Sequence, residues 1–219
     1  MAVAAIFDID GTLVSFKFDA QGTRKALLAE LASRGVDTRG LDLTSTTQKI
    51  LDTAQARMNA SGGYADFKSR AFDILDAFEL KDISSTKPFP GMREALVDLR
   101  ERGVRLAVLT NSGRKAATRS LTVAGLLGFF EFVLTRNDTE TMKPRPEGLL
   151  QAVSKLGIPK EAVYYVGDTP YDVMAAKGAG VRIVSVATGN YTSERLAAEG
   201  ADFVIASVSE LGGVLGVQP

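Results

Sequence analysis

Val3-Ala4-Ala5-Ile6-Phe7-Asp8-Ile9-Asp10-Gly11-Thr12-Leu13 is the stretch that decides the fold. An apolar run, Val3 to Phe7, leads directly into two carboxylates at i and i+2. A buried strand over Val3–Phe7 has a side-chain period of two, which predicts Asp8 and Asp10 on one side and Ile9 on the other. Gly11 permits a sharp turn at the strand's carboxyl end. Two adjacent carboxylates there are costly unless a cation lies between them or one keeps a proton. Hard oxygen ligands clustered in this way suit Mg²⁺. A carboxylate beside that ion is also able to attack phosphorus and form an aspartyl-phosphate. The competing reading is a buried strand that ends in an ordinary turn rich in Asp and Gly.

Beyond Leu13 the pattern becomes helical. Leu27, Leu28 and Leu31 mark one face of a helix that stops near Gly35. Ile50, Leu51, Ala54 and Met58 align on a second, expected from about Thr44 to Ala60 and broken by Ser61-Gly62-Gly63. Phe67, Ala71, Ile74, Leu75 and Phe78 define a third. Residues 15–84 therefore read as a small helical bundle without a strand, and its apolar stripes as bundle core. Ser84 to Gly91 reads as a return linker. From Met92 onward strands and helices alternate. Strands are expected at 105–109, 130–135, 162–166, 182–187 and 202–206, and helices at 92–103, 114–124, 146–156, 170–178 and 192–199. Such alternation predicts an α/β fold, a doubly wound and mostly parallel sheet covered on both faces. Ligands of such a sheet bind at the carboxyl ends of its strands.

At 219 residues the chain is long enough for one large domain, or a medium domain carrying a smaller insert. Hydrophobic residues make up 45% and charged residues 24%, the balance of a soluble globular protein. Lys+Arg and Asp+Glu are 26 each, so no net field draws nucleic acid or an anionic membrane. Cysteine is absent, which excludes disulfides, thiolate nucleophiles and zinc–thiolate sites. Histidine is absent too, so Ser-His-Asp chemistry, His metal sites and imidazole bases are excluded. The start of the chain lacks a basic leader with a long apolar core, and no run approaches the ~18 apolar residues of a membrane helix. A cytoplasmic location is the expectation.

Three expected strands end in reactive residues: Asp8 with Asp10, Thr110 with Asn111, and Gly167 with Asp168. A parallel sheet brings all these ends to one rim. Leu109-Thr110-Asn111-Ser112-Gly113 offers a hydroxyl and backbone amides at a helix start, where anions bind. Taken alone it is an ordinary helix cap through Ser112 or Asn111. Met142-Lys143-Pro144-Arg145-Pro146-Glu147 is stiffened by its prolines, although a lone Lys-Pro carries little weight. Arg145 reads as solvent-facing. Asp168 and Asp172 in Gly167-Asp168-Thr169-Pro170-Tyr171-Asp172 fall one helical turn apart. Thr169 and Pro170 are explained as N-cap and first helical residue; Gly167-Asp168 is not.

Taken together and in this order, these four stretches resemble the four motifs of the haloacid dehalogenase superfamily, mostly phosphohydrolases. The resemblance covers residues 1–14 and 85–219. The position and helical character of residues 15–84 resemble the cap of its phosphoglycolate-phosphatase-like branch. It implies a Rossmann-like core with an inserted α-helical cap domain. It also implies Mg²⁺-dependent hydrolysis of a small phosphorylated metabolite, phosphoglycolate first, with other small phosphoesters or pyrophosphate close behind. By resemblance, Asp8 is the nucleophile and Asp10 the general acid and base. Thr110, the Asn111 backbone and Lys143 bind the phosphoryl group. Mg²⁺ is held by the Asp8 carboxylate, the Asp10 backbone carbonyl and Asp168, with Asp172 standing behind them. Ser15-Phe16 departs from the Asp-Ser or Asp-Thr common in the family. Phe16, Lys17, Arg24 and Lys68 are conceivable substrate contacts that no feature of the sequence singles out. A phosphosugar mutase uses the same core, and a receiver-type phospho-acceptor domain or a phospho-ligand-binding protein shares its residue types. Monomer and homodimer are both open.

Overall fold

The computed structural model describes residues 3–15, 18–58, 62–81 and 83–216. Two compact units divide the chain: Met1–Phe16 with Ile83–Pro219, and Lys17–Asp82.

The larger unit is built on a six-stranded sheet. Its strands are β1 (Ala4–Phe7), β4 (Arg105–Leu109), β5 (Val133–Leu134), β6 (Val163–Gly167), β7 (Arg182–Val186) and β8 (Phe203–Ile205). The spatial order is β5-β4-β1-β6-β7-β8 and every pairing is parallel. Counted within the sheet alone, this is the 3-2-1-4-5-6 order of a doubly wound Rossmann-like fold, whose switch point lies between β1 and β6. Register sets Phe7 level with both Val108 and Val166, so the residues that follow, Asp8 among them, emerge side by side at the carboxyl rim.

Alternation along each strand divides the core in two. Ala5, Phe7, Leu106, Val108, Tyr164, Val166, Val184 and Val186 face one side. There they meet helix α4 (Met92–Glu101) through Leu96 and Leu99, and helix α5 (Arg114–Val123) through Ala117 and Leu121. Ala4, Ile6, Ala107, Leu109, Val163, Tyr165 and Ile183 face the other. Helices α6 (Glu147–Leu156) and α7 (Pro170–Ala179) cover that side through Leu149, Ala152, Val173 and Ala176. All four residues of β1 are buried, which is why its sequence is a continuous apolar run.

The smaller unit holds three helices: α1 (Ala20–Ser33), α2 (Thr47–Met58) and α3 (Tyr64–Leu80). Leu27 and Leu31, Ile50, Leu51 and Ala54, and Phe67, Ala71 and Leu75 are its buried faces. Asp19 caps α1 by accepting a hydrogen bond from the Gly22 amide.

Several boundaries differ from expectation. The second helix begins at Thr47 rather than Thr44, because Asp42 binds the Thr44 amide and hydroxyl in a turn ahead of it. The expected end at Ala60, and Ser61, Phe16 and Lys17, lie outside the described residues. The strand expected over 130–135 is regular only at Val133–Leu134, although Glu131 and Phe132 already exchange backbone hydrogen bonds with Leu106 and Val108 of β4, and a 3₁₀ turn occupies Leu127–Phe129 before them. A short antiparallel ribbon, β2 (Val14–Ser15) with β3 (Lys87–Pro88), was not expected; its strands sit where the chain leaves and re-enters the larger unit. After β8 come a 3₁₀ turn at Val208–Glu210 and a last short helix, Leu211–Val214, also unexpected.

Candidate active site

β1 stops at Phe7, so Asp8 and Asp10 belong to the turn beyond it rather than to the strand itself. Ile9 packs into the core, while Asp8 is 7% exposed and Asp10 half-buried. The Asp8 amide donates to the Val166 carbonyl at 2.9 Å, which extends the β1–β6 ladder one residue and places Asp8 against the end of β6.

Lys143 is the cation of the site. Its Nζ lies 2.8 Å from Asp8 Oδ1 and 2.7 Å from Asp172 Oδ1, with its side chain only 6% exposed. Burial works against the ammonium, but Asp172 and Asp8 beside it raise its pKa above the ordinary lysine value. Lys143 is thus a fixed charge at neutral pH. Its own backbone is clamped by Asn111, whose Nδ2 donates to the Lys143 carbonyl at 3.0 Å and whose Oδ1 accepts from the Lys143 amide at 2.9 Å. The bond from Lys143 to Pro144 is cis.

Asp172 is fully buried and fully engaged. Oδ1 accepts from Lys143 Nζ at 2.7 Å and from the Tyr165 hydroxyl at 2.9 Å; Oδ2 accepts from the Thr169 amide at 3.0 Å and hydroxyl at 2.6 Å. The Thr169 contacts form a capping box with Asp172 at the start of α7. Gly167 now has its reason: a Cβ there would lie 2.4 Å from Asp172 Cγ. Burial, and then the charge of Asp172, holds the Tyr165 hydroxyl well above the ordinary tyrosine range.

Asp168, 4% exposed, accepts at Oδ1 from the Thr12 hydroxyl at 2.9 Å. Burial, reinforced by Asp172 and Asp8, pushes its carboxyl up to about 8. Burial likewise pushes Asp8 up to about 7, with Lys143 opposing the rise and Asp172 adding to it. Carboxyls raised in this way ionise together only when more positive charge is supplied.

Among the described residues, Asp8, Asp168 and Asp172 offer carboxylate oxygens within 4.8 Å of one another. An all-oxygen donor set of this kind fits a hard divalent cation such as Mg²⁺. The four donors on Asp172 leave Asp8 and Asp168 as the carboxylates better placed to touch the ion. Asp10 stands apart from this group, its Oδ2 accepting from Ser112 Oγ at 2.7 Å. Thr110, 3% exposed at the end of β4, accepts at its hydroxyl from the Ser112 amide at 3.1 Å.

Sequence reading offers Ser112 only as a helix cap, a place that Gly113 takes while Ser112 turns to Asp10; Thr12 and Tyr165 are given no role by it, and neither is Arg136. That fully buried guanidinium donates to the Asn111 carbonyl at 3.1 Å and so braces the loop after β4. Thr12 lay inside the first motif and was legible there. The others depend on contacts that sequence periodicity does not encode.

Residues 5–186 match the family model described as haloacid dehalogenase-like hydrolase. The plasmid-borne phosphoglycolate phosphatase of Cupriavidus necator is 30% identical over 220 residues, covering 97% of this chain and 92% of the relative. The pyrophosphatase PpaX of Halalkalibacterium halodurans is 33% identical over 132 residues, or 60% of this chain and 61% of that one. A solved hydrolase from Pseudomonas syringae superposes with a TM-score of 0.71 over 99% of this chain and 100% of its own, at 22% identity, a likeness of fold. With its match over 182 residues (5–186) of 219, the chain belongs to the haloacid dehalogenase-like hydrolase family.

Proposed function

We propose that this hydrolase is a Mg²⁺-dependent phosphatase that cleaves a small phosphorylated metabolite through an aspartyl-phosphate on Asp8. The observation that carries the reading is the buried Asp8–Lys143–Asp172 array with Asp168 alongside it. With all three carboxylates ionised, Lys143 leaves two negative charges uncompensated there, which one divalent cation would balance.

In this scheme Asp8 Oδ attacks phosphorus and the phosphorus–oxygen bond to the leaving group breaks. Asp10 gives that oxygen its proton, and then takes one from the water that hydrolyses the acyl phosphate. Ser112 keeps the Asp10 carboxylate at the loop after β4, outside the group that holds the ion. Lys143 and the Thr110 hydroxyl face the charge spread over the equatorial oxygens, the main demand of a loose phosphoryl transition state. Asp8 and Asp168, with the Asp10 carbonyl, would hold Mg²⁺, which supplies charge stabilisation at the transferring group. Asp172 keeps Lys143 in place. The helical unit, 15–84 in the sequence reading, is proposed as the cap that selects the substrate.

Phosphoglycolate is proposed as the first substrate to try, supported by the relative from Cupriavidus necator, and pyrophosphate as the second, supported by PpaX. Phosphate release from each, with Mg²⁺ or with a chelator, tests the reading. Mg²⁺-dependent release from either is expected. No release from any phosphoester, together with sugar-phosphate isomerisation that needs a bisphosphate, would replace it with the mutase reading.

A further inference from the structure

β7 reaches the same rim as β1 and β6, and its continuation, Ala187-Thr188-Gly189-Asn190, lies outside all four stretches singled out from sequence. The Ala187 amide donates to the Ile205 carbonyl at 2.9 Å, which holds the start of this turn to β8. Thr188 Oγ1 donates to the Gly11 carbonyl at 2.6 Å, a tether between positions 177 residues apart.

Gly189 is not a glycine for reasons of backbone conformation, since its φ is not in the left-handed region. It is a glycine because of what stands against it. A Cβ at Gly189 would lie 1.9 Å from Asp168 Oδ2 and 2.8 Å from Asp168 Cγ. A Cβ at Gly11 would lie 2.2 Å from the same oxygen. Two bare backbones therefore leave the room that one carboxylate oxygen occupies, and Thr12 holds the other oxygen at 2.9 Å.

We propose that the Thr188–Gly189 turn is a positioning element of the cation site, with Gly189 fixing the direction of the Asp168 carboxylate and Thr188 locking the turn to Gly11. The inference rests on Asp168 being a cation ligand. The atom that a methyl group at Gly189 would meet is the free end of a short side chain. Asp168 is able to yield by rotating off Thr12, so the fold survives and the ligand direction does not.

Calorimetric titration of the full chain with Mg²⁺ tests this, using the wild type, Gly189→Ala, Thr188→Val, Asp168→Asn and the Gly189→Ala/Asp168→Asn double variant. Outer partners of metal ligands are typically worth about 10–100-fold in affinity, and Gly189→Ala is expected to weaken Mg²⁺ binding within that range. Its melting temperature in chelator should stay at the wild-type value. Thr188→Val should weaken binding in the same direction but less. In the Asp168→Asn background, Gly189→Ala should cost nothing further. Wild-type affinity in Gly189→Ala, or an equal loss with and without Asp168, would overturn the proposal. If Gly189→Ala does not fold, unchanged affinity in Thr188→Val overturns it instead. Failure of the underlying reading looks different: the wild type does not bind Mg²⁺, or Asp168→Asn binds it as tightly as the wild type.

Discussion

Asp10 and Asp8 are two residues apart, and the different roles proposed for them follow from their different surroundings. Asp8 is pressed against Lys143, whereas Asp10 accepts a hydrogen bond from Ser112 and remains half-buried. In the proposed scheme it exchanges a proton with the leaving group and then with water. Asp10→Asn keeps the shape and the Ser112 contact but removes the proton traffic, so kcat should fall by about 10²–10⁴-fold. The melting temperature should barely move, and kcat equal to the wild type would reject the role. Asn111 acts at one remove. Its two hydrogen bonds to the Lys143 backbone hold the ammonium between Asp8 and Asp172. Asn111→Ala should cost about 10–10²-fold in kcat/KM, the scale of a small misplacement of a reacting group. Initial-rate kinetics on an aryl phosphate would show it, and an unchanged kcat/KM would mean that Lys143 is held without the clamp.

At the scale of elements, α7 joins structure to chemistry through one residue. Asp172 closes the capping box with Thr169 and also receives Lys143. Thr169→Ala removes the cap, worth about 0.5–2 kcal/mol. In a chain of this size each kcal/mol lowers the melting temperature by about 2–4 °C. A thermal melt should show that loss together with reduced activity, because Asp172 loses the Thr169 hydroxyl, one of its four donors. An unchanged melt would mean that α7 does not depend on this box. Elements like α7 were legible because their signals are local: Thr169-Pro170 marks the start and Gly180 follows the end. β4 was legible over its full length because five residues run without a break between Gly103-Val104 and Thr110. The β2–β3 ribbon was not, since two-residue strands that include Pro88 carry no periodicity. β5 is shorter than expected because the 3₁₀ turn over Leu127–Phe129 runs up to Phe130, which leaves Glu131 and Phe132 to approach β4 through single hydrogen bonds before the regular pairing begins.

For the molecule as a whole, the order of strand ends was legible and the wiring between them was not. The Ser112–Asp10 and Thr12–Asp168 contacts join residues 102 and 156 positions apart, and only the sheet brings them together. The sequence reading and the structure meet at Asp8, Lys143, Asp168 and Asp172, which share one buried space; the partners of Thr12 and Ser112, and the places of Tyr165 and Gly189, come into view only with the fold. That shared space makes the folded chain sensitive to pH. Asp8 and Asp168 titrate near 7 and 8 in the folded state, against 3.8 for an ordinary aspartate. Between those values the folded chain binds protons that the unfolded chain has released, so stability falls as pH rises from about 4 to about 8. A divalent cation competes for the same oxygens. The gain in melting temperature on adding Mg²⁺ should therefore be small near pH 5 and grow steadily toward pH 8. A gain independent of pH would show that these carboxyls are not where the ion binds.

The most direct measurement is Mg²⁺-dependent hydrolysis of p-nitrophenyl phosphate by the wild type and by Asp8→Asn, at matched folding and metal concentration. Asp8 as nucleophile predicts turnover in the wild type that a chelator abolishes, and none above background in the variant, which retains the shape of the site. Turnover by Asp8→Asn at the wild-type rate would contradict an aspartyl-phosphate on Asp8 and, with it, the role assigned to the buried Lys143 array.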